Sequence, residues 1–195
     1  MQTAYRSNTY FPRLVERSKE LAKRFEFNHS CSDETGRLLA VLAGQVKEGK
    51  ILEVGTGLGV GSAWILSNVS PSVKIFSIDN CEQKVTLTKE VITHDQAEFI
   101  YGDWKEIIKE GPFQFIFADA AAVKSAEASE LYDILDIGGT LLMDDLTPEE
   151  HWPEEWKGKP DTVREFWLNH EGLMATEVYL TPVSAAIIAV KVRVT

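Results

Sequence analysis

Residues 51–65, ILEVGTGLGVGSAWI, place a short apolar run and an acid, Glu53, ahead of four glycines at alternate positions, followed by a second apolar run of helical type. So much bare backbone at the end of a strand has a physical use. It lets main-chain N–H groups approach a ligand at the carboxyl edge of a sheet, beside the positive end of the following helix. The dinucleotide fingerprint G-x-G-x-x-G requires glycine at position 60 if counted from Gly55, or at 62 if counted from Gly57. Val60 and Ser62 stand there. The pattern is instead E-x-G-x-G-x-G, carried by Glu53, Gly55, Gly57 and Gly59, with Thr56 inside it.

The surrounding sequence alternates between two periods. Strand-like runs are KILEVG (50–55), VKIFSID (73–79), AEFIY (97–101), FQFIFAD (113–119) and GTLLMDD (139–145), with helical stretches near 60–69, 82–93, 103–110 and 123–136. Nearly continuous apolar strands separated by helices are what a parallel sheet covered on both faces requires. Two amphipathic helices precede the sheet, one from Phe11 to about Phe27 with Pro12 in its first turn, the other from Ser32 or Asp33 to Gly49. A helix near 161–171 leads into LMATEVYL and AAIIAVKVRV, joined by TPVS, which reads as a closing antiparallel hairpin. The expected organisation is one domain over 1–195, with N-terminal helices over 1–48 and an α/β core over 49–195.

The 195 residues are 44% hydrophobic, enough for one well-filled core and short for two. Cys31 and Cys81 are too few for a disulfide framework and lack metal-type spacing. No apolar stretch has signal-peptide or membrane-spanning length, so a cytoplasmic protein with no membrane partner is expected. The formal net charge of −10 disfavours nucleic acid as a partner, because the average field repels phosphate. The long connection LTPEEHWPEEWKGKP (146–160) carries three prolines and two tryptophans. Connections of that length are usually functional or disordered, and Trp152 and Trp156 argue against disorder.

On these residues the chain resembles class I S-adenosylmethionine-dependent methyltransferases, and among them the small-molecule O-methyltransferases related to catechol and caffeoyl-CoA O-methyltransferases. The resemblance runs from about Ser32 to the C-terminus. It implies a Rossmann-like α/β sandwich with a seven-stranded sheet of order 3-2-1-4-5-7-6, strand 7 antiparallel and helices on both faces. It also implies that Glu53, Gly55, Thr56, Gly57 and Gly59 wrap the methionine end of the cofactor. Asp79, 20 positions after Gly59, then accepts from the ribose hydroxyls, with Asn80 beside it. IYGDW is similar to the family's G-D-A, so Gly102, Asp103 and Trp104 would lie at the adenine. Asp79 and Asp103 also suit plain helix caps.

FIFAD followed by GGTLLMDD resembles the family's F-I-D-A-D-K and G-G-x-x-x-x-D-N. By that likeness Asp119, Asp144 and Asp145 form an oxygen-donor set for Mg²⁺, Mn²⁺ or Ca²⁺, and Asp119 also faces the cofactor. The chain departs from the pattern at Ala121 and Ala122, where a second acid and a lysine are expected, and at Asp145, where asparagine is usual. Lys124 lies two positions further on. Without a cation, three close carboxylates raise one another's pKa, and one becomes a protonated donor or a base. Candidate catalytic residues are Asp119, Lys124 and His151, the last either a base or surface decoration. Trp152 and Trp156 are expected to face the pocket and position the acceptor.

The function expected is methyl transfer from S-adenosylmethionine to an oxygen of a small hydroxylated, catechol-like or aromatic acceptor, with or without a divalent metal. Two alternatives stay open: a catalytically silent S-adenosylmethionine-binding protein, and a tRNA hydroxyuridine O-methyltransferase. A homodimer is compatible with either.

Overall fold

The computed structural model describes residues 10–124 and 128–193. Helices α1 (Arg13–Arg24) and α2 (Asp33–Ala43) come first. Then follow β1 (Gly49–Val54), α3 (Val60–Leu66), β2 (Val73–Asp79), α4 (Glu82–Val91), β3 (Ala97–Tyr101) and β4 (Phe113–Ala118). The chain closes with α5 (Ala128–Ile134), β5 (Leu135–Leu146), α6 (Thr162–Asn169), β6 (Leu173–Thr181) and β7 (Ser184–Lys191). The seven strands form one sheet of order β3-β2-β1-β4-β5-β7-β6. β1 to β5 run parallel, and β7 is antiparallel to both β5 and β6. Strand order and the reversed last strand agree with the expectation.

Burial on both faces explains the apolar runs. In β1, Ile51 faces a core made with Val15, Leu39, Trp64 and Val85 of α1 to α4. Leu52 and Val54 face the opposite core, with Leu131 of α5 and Trp167 of α6. At about 25 cal/mol per Å² of apolar surface removed from water, these two layers supply the main driving force of the fold. Glu53 points to the first face, under α3, and is the one charged residue of β1 with almost no exposure (1%).

Several boundaries differ from the sequence reading. The 103–110 segment is a 3₁₀ helix, Trp104–Glu110, opened by an Asp103–Glu106 capping box and ended at Gly111. In place of one helix over 123–136 there is a turn at Ala121–Val123 and the short α5, residues 125–127 lying outside the described residues. β5 begins at Leu135 rather than 139. Its early half passes through Gly138 (φ 81°), and the pairing with β4 slips from Phe113↔Leu135 to Phe115↔Thr140. α2 stops at Ala43, where Gly44 N–H bonds back to Ala40 O, instead of reaching Gly49. The hairpin strand expected to reach 194 ends at Lys191, and 194 lies outside the described residues. Among the described residues no helix is long and apolar enough to cross a membrane.

Candidate active site

The carboxyl ends of β1, β2, β4 and β5 open into a cavity of about 580 Å³. The glycine turn is its floor. Gly55 has φ 106°, and a Cβ there would stand 2.6 Å from the carbonyl oxygen of Asp119, so only glycine lets β1 and the β4 end approach this closely. Gly57 (φ 52°) lies under the ring of Phe27, which a Cβ would meet at 3.2 Å. Asp79 braces the turn: one carboxylate oxygen accepts from Gly57 N–H at 2.9 Å and the other from Cys81 N–H at 2.9 Å. Asp79, Asn80, Gly102 and Trp104 all line the cavity.

Glu53 sits beneath this turn. One of its carboxylate oxygens accepts from Ser77 Oγ at 2.5 Å and from Ser62 Oγ, while Oε1 is buried without a partner. Burial pushes its pKa up to about 7, the Asp79 charge adding to the rise and the two serines opposing it. A buried carboxylate oxygen without a partner beside a glycine cradle suits a ligand that brings a hydrogen-bond donor. The residues therefore fit a ligand with an amino or hydroxyl group at this end, which S-adenosylmethionine has.

The second feature of the cavity is acidic. Asp119 follows β4, Asp144 and Asp145 lie near the end of β5, and one carboxylate oxygen from each falls within 4.8 Å of the others. In a regular strand, adjacent side chains point to opposite faces. Here a bulge breaks the alternation: Met143 pairs with Ile187 but Leu146 with Ala185, and Asp145 takes a left-handed backbone (φ 58°). Lys124 Nζ stands 3.8 Å from the Asp145 carboxylate. Burial pushes Asp119 up to about 8, Asp144 and Asp145 add to it, and Lys124 opposes. Asp144 is also raised, chiefly by burial, and accepts from Thr35 Oγ1 at 3.3 Å. Three carboxylates this close repel one another, and a hard divalent cation offsets the repulsion, so the donor set fits Mg²⁺, Mn²⁺ or Ca²⁺.

Some expected residues stand elsewhere. The Asp103 carboxylate accepts from Lys105 N–H at 2.9 Å as a helix cap, and Asp103 is not among the residues lining the cavity. His151 is exposed, its Nε2 2.9 Å from Pro182 O at the β6–β7 turn, and it does not line the cavity. Trp152 and Trp156 do not line the cavity either. Trp152 turns its indole N–H to Thr147 O, and Trp156 is 49% exposed. Conversely, Phe27, His29, Ser30 and Lys84 line the cavity although no motif announced them. The first three belong to the α1–α2 connector, whose nearness to the glycine turn is a tertiary fact. The Lys84 ammonium lies 5.1 Å from the Phe27 ring centroid, a pairing no local pattern encodes. Cys31 also lines the cavity, its thiol pKa raised by burial and then by Asp119 and the other acids, so it rests as a neutral thiol.

Known proteins resemble the chain at two levels. A protein-L-isoaspartate O-methyltransferase of Methanococcus vannielii is 26% identical over 140 residues, which span 68% of this chain and 66% of that protein's length. Among solved structures, the O-methyltransferase from Bacillus cereus in complex with SAH superposes with a TM-score of 0.79 at 18% identity, covering 95% of this chain and 93% of that one. The O-methyltransferase TomG from Streptomyces achromogenes, in complex with SAM, gives 0.79 at 16%, covering 96% and 93%. The family description Protein-L-isoaspartate(D-aspartate) O-methyltransferase (PCMT) matches residues 19–148, two thirds of the chain. The chain therefore belongs to this family of class I methyltransferases.

Proposed function

We propose that the protein transfers a methyl group from S-adenosylmethionine to an oxygen of a small hydroxylated acceptor, catechol-like or aromatic. The observation that carries this reading is that Asp119 and Asp145 line the same cavity as the glycine turn, with Asp144 buried beside them in one acid cluster, and that the Asp119 backbone closely approaches Gly55. The glycine turn seats the methionine end, with Glu53 beneath it, and Asp79 and Trp104 seat the adenosyl end. Methyl transfer is an in-line displacement, so the protein's task is to hold the acceptor oxygen about 3 Å from the methyl carbon and to remove its proton. Asp119, held near pKa 8, is the side chain placed to take that proton, and the Lys124 ammonium, 3.8 Å from Asp145, steadies the oxyanion that forms. A divalent cation held by Asp119, Asp144 and Asp145 would lower the pKa of a bound hydroxyl. In that case the hydroxyl would ionise readily and its proton would pass to water.

A second reading, methylation of an isoaspartyl carboxylate in a protein, is favoured by the family match. The acid cluster weighs against it, because a free carboxylate brought beside three others meets the same repulsion that already raises Asp119. The tRNA reading is disfavoured by the net charge of −10. The test is S-adenosylhomocysteine formation with a panel of catechols and other hydroxylated aromatics, set beside an isoaspartyl peptide. Turnover on a hydroxylated aromatic supports the proposal. Turnover on the peptide alone selects the second reading, and none on any acceptor, with the cofactor bound, selects a silent binder.

A further inference from the structure

The 146–160 connection does not cover the cavity, yet it is tied down, and two of the bonds that hold it converge on one atom. The carbonyl oxygen of Thr147, two residues after Asp145, accepts from Trp152 Nε1 at 2.9 Å and from Arg164 Nη2 at 2.9 Å. A carbonyl oxygen has two lone pairs, and both are used. Arg164 is itself fixed by a planar fork. Its Nε and Nη2 donate to the two Glu177 oxygens at 2.9 and 2.7 Å, and Nη1 donates to Asp161 at 2.5 Å. The guanidinium also stands 5.7 Å from the Trp152 ring. The three charged side chains are only 15 to 22% exposed, so water competes little for these bonds. Elements from three places, the connection itself, α6 and β6, thus grip the chain just past the bulge that gathers the acids.

That bulge needs holding. A left-handed backbone is disfavoured at most non-glycine residues and tolerated best by Asn and Asp, so at Asp145 it is a state that neighbouring contacts can keep or release. If Asp145 relaxed to an extended conformation, strand alternation would separate its carboxylate from that of Asp144.

We infer that Arg164 and Trp152 are positioning residues, a clamp on the Thr147 carbonyl that maintains the Asp144–Asp145 bulge and so keeps the acid cluster assembled. The inference rests on the reading of that cluster as the working end of the site. The clamp acts through the backbone and leaves the glycine turn alone, so its loss separates acid-cluster properties from cofactor binding.

The test compares Arg164→Lys, which keeps the charge but loses the fork, and Trp152→Phe, which keeps a ring but loses the N–H. For each, Mn²⁺ affinity is read by electron paramagnetic resonance, S-adenosylhomocysteine affinity by calorimetry, and amide hydrogen exchange at Leu146 and Thr147 by mass spectrometry or NMR. The expected result is Mn²⁺ binding weakened at least tenfold and exchange at these amides at least tenfold faster, with S-adenosylhomocysteine affinity within twofold of wild type. Unchanged Mn²⁺ affinity and exchange in both variants would overturn the clamp. So would a parallel loss of S-adenosylhomocysteine binding, which marks a general structural role. If the wild type binds no Mn²⁺, the cation reading fails by itself, and the clamp is decided by exchange: tenfold acceleration sustains it and no change overturns it.

Discussion

Gly61 packs directly on the carboxylate of Glu53: a β-carbon at position 61 would stand well inside van der Waals distance of Oε1, and 3.0 Å from the Phe117 ring. The first turn of α3 is thus fitted over a buried acid, with Ser62 donating to that acid's other oxygen. Gly61→Ala is expected to lower stability by about 1–3 kcal/mol, the usual cost of overpacking a filled core. Urea unfolding reads this directly. A midpoint equal to wild type would show that Glu53 has room to move.

Glu53 gives the stability a pH signature. Its folded pKa of about 7 lies above the 4.5 of an ordinary glutamate, so between these values the folded state holds a proton that the unfolded state has released. The contribution is complete below pH 4.5 and is lost as pH rises through about 7. Relative to Glu53→Gln, which does not titrate, wild type should lose roughly 3 kcal/mol across this window, at about 1.4 kcal/mol per pKa unit. Denaturation curves for both proteins at pH 4.5, 6 and 8 check it. Parallel stabilities at all three would mean that folding leaves the Glu53 pKa at its ordinary value.

How far the sequence made this legible depends on the kind of signal. β1, β2 and β4 read clearly because burial on both faces leaves them almost wholly apolar, and Asp79, Asp119 and Asp144 are polar exceptions at or near the ends of such runs. The start of β5 did not, since LDIG continues a helical apolar period, and only the slip at Gly138 turns it into strand. Asp103 shows how a motif and a cap share one residue type: the sequence alone does not reveal that its carboxylate caps Lys105 N–H. The bulge at Asp145 was hidden too. Two adjacent aspartates on one strand read as a shared site only once the alternation is broken.

The acid cluster makes its own forecast. If it holds a cation, EDTA abolishes turnover on a hydroxylated acceptor, Mg²⁺ restores it, and Asp144→Asn lowers it at least tenfold, since the loss of one of three carboxylate donors removes a charged ligand. If turnover survives both EDTA and Asp144→Asn, Asp119 acts as a direct base and the cation is dispensable. Initial rates with and without chelator separate the two.

The most direct test of a methyl-donor site at the glycine turn is calorimetric titration of S-adenosylhomocysteine into wild type, Gly57→Val and Asp79→Ala. Wild type should bind at micromolar Kd and show no binding of NAD. Gly57→Val forces a β-branched residue into φ 52° beneath Phe27 and should abolish binding. Asp79→Ala, which frees the Gly57 and Cys81 N–H groups, should weaken it by about 1.5–3 kcal/mol. A wild type that binds no S-adenosylhomocysteine, or folded variants that bind it as wild type does, would contradict the assignment.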